Sequence, residues 1–244
     1  MTNRSLISQN KYVVASNSAI AYRSAMASST VENYLKHLLL LSEDAEGLVS
    51  MGALASSLAV VPGTVTTMVK ALADGGLVAH LPRQGVRLTS AGRRLALNVL
   101  RKHRLIETFL VDVLKMGWSE VHDEAEKLEH AISDKVLNRL DALLGHPAVD
   151  PHGDPIPSRQ GKLDSHVYAT LATCIIDAPL RIVRVTDQSA EFLQFAESCG
   201  LRPGAQVQVA DRNLAAGKVT LRRSRSHTPA LSLGAAAGSN RQER

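Results

Sequence analysis

Cysteine is scarce in this chain of 244 residues, which has only Cys174 and Cys199. Two thiols cannot build a disulfide framework, and they lack the close spacing of a metal knuckle, so a cytoplasmic location in a reducing compartment is expected. No apolar run approaches the length that spans a bilayer, so no membrane partner is expected. Residues 1–28 lack the uninterrupted apolar centre of a secretory signal, because Ser and Asn break each run. They read as a disordered extension, with Met26 as an alternative translation start. An HExxH pattern is missing too, which weighs against a hydrolytic metalloenzyme.

What is present is enough chain for two small domains and a tail, with an ordinary 45% of hydrophobic residues. The net charge of +5 is a mild basic bias that favours nucleic acid over acidic metabolites only if the charge is clustered. It is clustered. Between Val60 and Arg104 stand Lys70, Arg83, Arg87, Arg93, Arg94, Arg101, Lys102 and Arg104, with His80 and His103, against the single acid Asp74.

That stretch has a recognisable order of elements. Val31, Leu35, Leu38 and Leu39 repeat at helical spacing behind Thr30, predicting a helix that ends near Ser42. Met51, Leu54, Ala55 and Leu58 follow Ser50 as a short second helix, and residues 59–63 turn. Thr64 to Ala73 form a third helix with Val65, Met68, Val69 and Leu72 inward, which makes a helix-turn-helix. Residues 77–81 and 86–88 alternate around the turn Pro82-Arg83-Gln84-Gly85, a hairpin placed as a wing. Pro62, Gly63, Thr64, Thr66, Thr67 and Lys70 at the third helix, and Arg83 and Arg87 on the wing, are therefore the candidate contacts to double-stranded DNA. For each threonine, surface filling or capping competes with base contact.

A long helix then starts behind Thr89 or Ser90, with a stripe from Leu95 to Leu114 and a stop at Gly117. Two more helices follow, Ser119 to Ala131 and Ser133 to Leu144. The Pro- and Gly-dense stretch 145–157 marks a boundary, after which the period turns to alternation at residues 181–185, 206–210 and 218–221, with a helical insert near Glu191 to Ser198. The expected fold class is mainly α with a small β domain: disordered extension 1–28, winged helix-turn-helix 29–92, helical domain 93–157, small β-barrel 158–230, disordered tail 231–244.

On the long helix His103 and Glu107 stand one turn apart, and on the next helix His122, Glu126, Glu129 and His130 fall within one arc, since a helix rotates about 100° per residue. Singly, each has a bland reading: His103 as one more cation of the DNA face, Glu126 as a surface partner of His122 or His130. Together, two carboxylates and two histidines crowded on one face call for a cation between them. Imidazole and carboxylate without thiolate suit Mn²⁺, Fe²⁺, Co²⁺ or Zn²⁺ rather than Cu⁺.

The runs Arg101-Lys-His-Arg-Leu-Ile-Glu107 and Val121-His-Asp-Glu-Ala-Glu-Lys-Leu-Glu-His130 resemble the metal-binding signature of the diphtheria toxin repressor family, and the likeness continues through residues 151–157. Residues 200–209 are similar to the FeoA-type small barrel that longer members append. The resemblance implies a helical metal-binding and dimerisation domain, with Glu126, Glu129 and His130 forming a regulatory site with Asn33, and His103, Glu107 and His122 a companion site. Iron-type members carry cysteine where Glu126 stands and manganese-type members a carboxylate, so Mn²⁺ is implied, with Fe²⁺ as the alternative. Asn33 offers a weaker, neutral oxygen where manganese types often have aspartate. Lys36 stands where some members have a carboxylate, which argues against two ions held by the first helix. Gln188 and Glu191 are the nearest candidates for a ligand from the C-terminal domain. The implied protein is a metal-activated repressor of metal-uptake genes, a homodimer packed through the apolar faces of Trp118 to Leu144 that reads an inverted-repeat operator. The alternatives are an iron-dependent repressor, a winged-helix regulator whose metal only stiffens the fold, and a metalloenzyme.

Overall fold

A computed structural model of the protein describes residues 29–42, 47–164, 166–213, 218–222 and 230–232. The expected extension 1–28, with Met26, and residues 233–244 of the expected tail lie outside the described residues.

Helix α1 (Ser29–Leu41) buries the predicted Val31, Leu35, Leu38 and Leu39, and also Tyr34 and Lys36. Ser50 caps α2 (Met51–Ser57) by accepting from the Ala53 amide at 3.1 Å. After a turn in which Ala59 adopts φ 52, α3 (Pro62–Asp74) leaves α2 at 109°, a helix-turn-helix crossing. α3 starts two residues before the predicted Thr64, because proline presets the helical φ and has no amide to leave unpaired in the first turn.

Strands β1 (Val78–Leu81) and β2 (Gly85–Leu88) pair antiparallel with Ala79 opposite Arg87. Val49 adds a bridge to the hairpin through two 2.9 Å bonds with Val86. Gly85 is required there, since a Cβ at its φ of +142 would lie 2.5 Å from the Val49 carbonyl oxygen. One core joins these elements to the start of the next helix.

Helix α4 (Ser90–Asp112), capped by Thr89, is the mast of the molecule. The sequence predicts a stripe from Leu95 to Leu114 on a helix that stops at Gly117. Instead every residue from Val99 to Thr108 is buried, and Val113 and Leu114 lie past the helix end, 45% and 54% exposed. α5 (Val121–Leu128) packs on α4 through Ile106, Leu110, Val121 and Ala125, and α6 (Asp134–Leu143), capped by Ser133, packs on it near Leu105 and Leu137. α5 is shorter than the predicted 119–131, so Glu129 is its C-cap and His130 lies beyond it.

The C-terminal region holds β3 (Leu180–Arg181), α7 (Ala190–Ser198), β4 (Gln206–Asn213), β5 (Lys218–Arg222) and β6 (Ala230–Ser232), in sheet order β3-β4-β5-β6. Among the described residues this sheet is open, where the sequence leads to the expectation of a small β-barrel. The strand predicted at 181–185 shrinks to two residues, because the Val185 amide donates to the His152 carbonyl at 2.8 Å instead of to the sheet. β6 takes in Leu231 and Ser232 from the expected tail.

Trp118 is 2% exposed and sits in the core of this C-terminal region with Val185, Leu193 and Leu201. Its Nε1 donates to Glu197 at 3.1 Å, Arg202 covers the ring at 5.1 Å, and His152 stacks on it at 5.7 Å. A side chain so enclosed within its own chain is not free to join a dimer face, which corrects the expectation for Trp118. The exposed large apolar residues of that stretch are Leu128, Val136 and Leu143. No single helix of the described residues is long and apolar enough to cross a membrane.

Candidate functional site

The six predicted imidazole and carboxylate groups of α4 and α5 meet in one network. His103 is its hub: Nδ1 lies 2.6 Å from Glu129 Oε2, and Nε2 lies 3.0 Å from Glu107 Oε1 and 3.2 Å from His122 Nδ1. Glu126 reaches it at 3.8 Å. His130 turns its Nε2 to Glu129 at 3.3 Å and its Nδ1 to Glu32 of α1 at 2.5 Å. Donor atoms converge closely enough for one ion in His103–Glu107–His122 and again in His103–Glu126–Glu129. His103 thus belongs to both sets, while His130 stands at the edge of the second.

Burial makes charge in this network costly unless it is paired. Glu107 and Glu129 are 1% and 0% exposed, so each needs a cationic neighbour. Burial works most strongly against protonation of His103, yet its bonds to Glu107 and Glu129 outweigh that and hold it up at about 9. Burial likewise raises Glu107, but His103 and His122 pull it far below the usual carboxylate range. In Glu126 the desolvation is overcome by the Lys36 ammonium, which lowers it.

Helix α1 contributes Lys36 and Asn33. The Lys36 Nζ lies 2.6 Å from Glu126 Oε1 and 2.7 Å from Glu129 Oε1. Asn33 Oδ1 is buried without a hydrogen-bond partner, and the buried His130 Nε2 has only its 3.3 Å ion-pair approach to Glu129. An unpartnered buried oxygen is costly, and Asn33 stands on α1 one turn before Lys36, which reaches both carboxylates, so the donor set fits a divalent cation. The donors are all nitrogen and oxygen, since Cys174 and Cys199 lie in the core of the C-terminal region.

Sequence reasoning missed a third convergent set, Glu107, Asp150 and His152, all buried. His152 Nε2 faces the Trp118 carbonyl at 3.0 Å, and a carbonyl only accepts, so the ring proton is on Nε2. Nδ1 has no hydrogen-bond partner and lies 3.9 Å from Glu107 Oε2. Asp150 Oδ1 accepts from the His152 and Asp154 amides at 2.8 and 2.9 Å, while its Oδ2 has no hydrogen-bond partner. Burial first, then the charges of Asp154 and Glu107, push this carboxyl well above the ordinary range against the pull of Arg104. The signal in the sequence is the pairing of acids and a histidine within residues 150–154, where the density of Pro and Gly speaks only of a boundary. Gln188 does not join any of these sets; its Nε2 donates to Asp154 at 2.7 Å, and Glu191 is exposed on the first turn of α7.

Elsewhere on the winged domain, Pro62, Gly63, Thr64, Thr66, Thr67 and Lys70 are all exposed along α3, and Arg83 and Arg87 are exposed on the hairpin. Thr66 and Thr67 donate their hydroxyls to the carbonyls of Pro62 and Gly63 at 3.0 and 3.1 Å. No side chain caps α3, and its Thr64 amide donates to the Val61 carbonyl at 3.0 Å. Part of the basic run has a different use. Arg101 pairs with Asp141 at 2.8 Å and donates to the Pro157 carbonyl at 2.7 Å, and Arg104 donates to the Pro155 carbonyl at 2.5 Å. With Lys102 also buried, these three cations leave the solvent-facing set, which keeps His80, Arg93 and Arg94.

Residues 26–86 match the family described as iron dependent repressor, N-terminal DNA binding domain; residues 89–158 match its metal binding and dimerisation domain, and 169–237 the FeoA domain. The chain is 33% identical over 207 residues to the diphtheria toxin repressor of Corynebacterium diphtheriae, which spans 79% of this chain and 88% of that protein. It is 40% identical over 129 residues to the iron-dependent repressor IdeR of Mycobacterium tuberculosis, 52% of this chain and 55% of that one. Among solved structures it is similar to a manganese-dependent transcriptional repressor in complex with manganese, with a TM-score of 0.77, 38% identity and coverage of 84% and 96%. A structure of the manganese regulator SloR gives 0.69, 32%, 85% and 95%. The chain therefore belongs to the diphtheria toxin repressor family of metal-dependent, DNA-binding transcriptional repressors, which are not enzymes.

Proposed function

We propose that the protein is a manganese-activated repressor of metal-uptake genes, acting in the cytoplasm as a homodimer on an inverted-repeat operator. The observation that carries this reading is the placement of Glu129: fully buried, bonded to His103 on α4, and reached across the domain boundary by α1. The domains are taken as 29–92, 93–157 and 158–230, the last a small β-barrel domain of the FeoA type.

Asn33, Glu126, Glu129 and His130 would hold the regulatory ion, with His103 converging on the same two carboxylates, and His103, Glu107 and His122 its companion; Glu107, Asp150 and His152 form a further candidate set. The ion supplies positive charge that joins α1 to α5. This chain's residues do the rest: Glu129 and His103 fix the α4–α5 side, Asn33 carries the link to α1, and α1 packs on α2, which in turn packs on the recognition helix within one core. The uncapped start of α3 at Pro62 and Gly63 seats a phosphate, Thr64, Thr66, Thr67 and Lys70 face the groove, and Arg83 and Arg87 meet the backbone beside it. Exposed Leu128, Val136 and Leu143 supply apolar contacts to a second copy.

Carboxylate at Glu126, with no thiolate in the network, favours Mn²⁺ over Fe²⁺. The test is to select DNA from a random pool with the Mn²⁺-loaded protein. Affinity for the selected sequence is then compared with Mn²⁺, Fe²⁺ and Zn²⁺ and after chelation. Strongest activation by Mn²⁺ and loss on chelation support the reading; equal affinity with and without metal refutes it.

A further inference from the structure

Helix α1 presents its own cation to the carboxylates at the centre of the site. Lys36 is 2% exposed, and its ammonium is within 2.7 Å of both Glu126 and Glu129, residues 90 and 93 positions away in the chain. A buried lysine is tolerated only while it is paired. The pair it makes bridges the same two elements, α1 and α5, that the regulatory ion is proposed to bridge. One turn earlier on α1, the Asn33 oxygen is buried and unpartnered. The same helix thus carries a cation that already pairs with the two carboxylates and, one turn away, a neutral buried oxygen that only a cation or a donor can satisfy.

We infer that Lys36 is a tethered cation that occupies the Glu126–Glu129 pair until a divalent ion displaces it, and so sets the metal concentration at which the protein responds. A divalent ion bound by those oxygens repels an ammonium at hydrogen-bonding distance, so binding and the Lys36 pair exclude each other. The link between α1 and α5 then passes from Lys36 in the metal-free protein to Asn33 in the loaded one. The metal-free protein is stiffened at this joint, and each ion must displace a positive charge fixed to the chain. This inference rests on the regulatory-site assignment above.

The test compares the whole protein with Lys36→Met and with Lys127→Met, which removes a cation paired to Glu124 on the solvent side of α5. Mn²⁺ binding is measured by equilibrium dialysis and melting temperature is measured with and without Mn²⁺. For Lys36→Met the expected result is about tenfold tighter Mn²⁺ binding, the size of a typical coupling between competing ligands. Its metal-free melting temperature falls while the Mn²⁺-loaded one matches the unaltered protein, and Lys127→Met changes neither. A Lys36 that is merely structural would lower both melting temperatures equally and leave Mn²⁺ affinity unchanged, which overturns the inference. Equal tightening by Lys127→Met would also overturn it, by showing a general charge effect. Should Lys36→Met not fold, Lys36→Gln takes its place with the same criteria. Failure of the unaltered protein to bind Mn²⁺ at all would instead refute the regulatory-site assignment.

Discussion

The imidazole of His103 joins two buried carboxylates, with Nδ1 2.6 Å from Glu129 and Nε2 3.0 Å from Glu107. In the metal-free protein this ring is held protonated up to about 9, whereas a histidine in the unfolded chain titrates near 6.5. A raised folded-state value means a stabilising contribution that is complete below pH 6.5 and is lost as pH rises through 9. Its size is at most about 3 kcal/mol. Urea denaturation of the metal-free protein at pH 6.5 and 9.5 should show lower stability at the higher pH, and His103→Gln should flatten the difference.

The same proton bears on metal uptake. A ligating imidazole must be neutral, so Mn²⁺ affinity should rise between pH 6.5 and 8.5, by up to about tenfold per unit. Calorimetric titrations in buffers of different ionisation enthalpy should show proton release on binding. Release that persists in His103→Gln would assign it elsewhere.

Cations of the winged domain should divide into two behaviours. Lys70→Ala and Arg87→Ala, both exposed, are expected to leave folding intact and to reduce the salt slope of DNA binding by about 0.9 for each phosphate that is no longer neutralised. Arg101→Ala removes the buried partner of Asp141, so it should cost about 3 kcal/mol of stability instead. Fluorescence anisotropy across a salt series and urea denaturation separate the two.

That division marks how far the sequence can be read. The helix-turn-helix, the wing and the helix starts behind Ser50 and Thr89 are legible because each rests on local periodicity or local turn chemistry. The internal role of Arg101 and Arg104 is not, because their partners Asp141, Pro155 and Pro157 lie far along the chain, and a proline-rich segment carries no periodic signal. The ligand-bearing faces of α4 and α5 are legible from spacing. Lys36 stands out in the sequence only as a missing carboxylate, since nothing local reveals that its ammonium reaches Glu126 and Glu129. Likewise Asp150 and His152 become visible once the loop folds back on Glu107. Closure of the barrel goes beyond what the pattern supports: alternation identifies strands but not closure, and among the described residues the sheet stays open.

Docking of the C-terminal region depends on Gly153, whose φ is +89 and whose Cβ, if present, would lie 2.0 Å from the Val183 carbonyl oxygen. Gly153→Ala should therefore undock that region from the loop that carries Asp150 and His152. Trp118, the single tryptophan of the chain, reports it directly, because it is buried against Leu193 and Leu201. The expected outcome is a red-shifted tryptophan emission with far-ultraviolet circular dichroism little changed.

Glu129 joins the helices that the account holds responsible for switching, so its replacement is the most direct test. Equilibrium dialysis against Mn²⁺ should give stoichiometric uptake by the unaltered protein. Glu129→Gln, which keeps a hydrogen-bonding side chain without the charge, should take up less at the regulatory site. Stoichiometric uptake of equal affinity by both proteins would contradict the account.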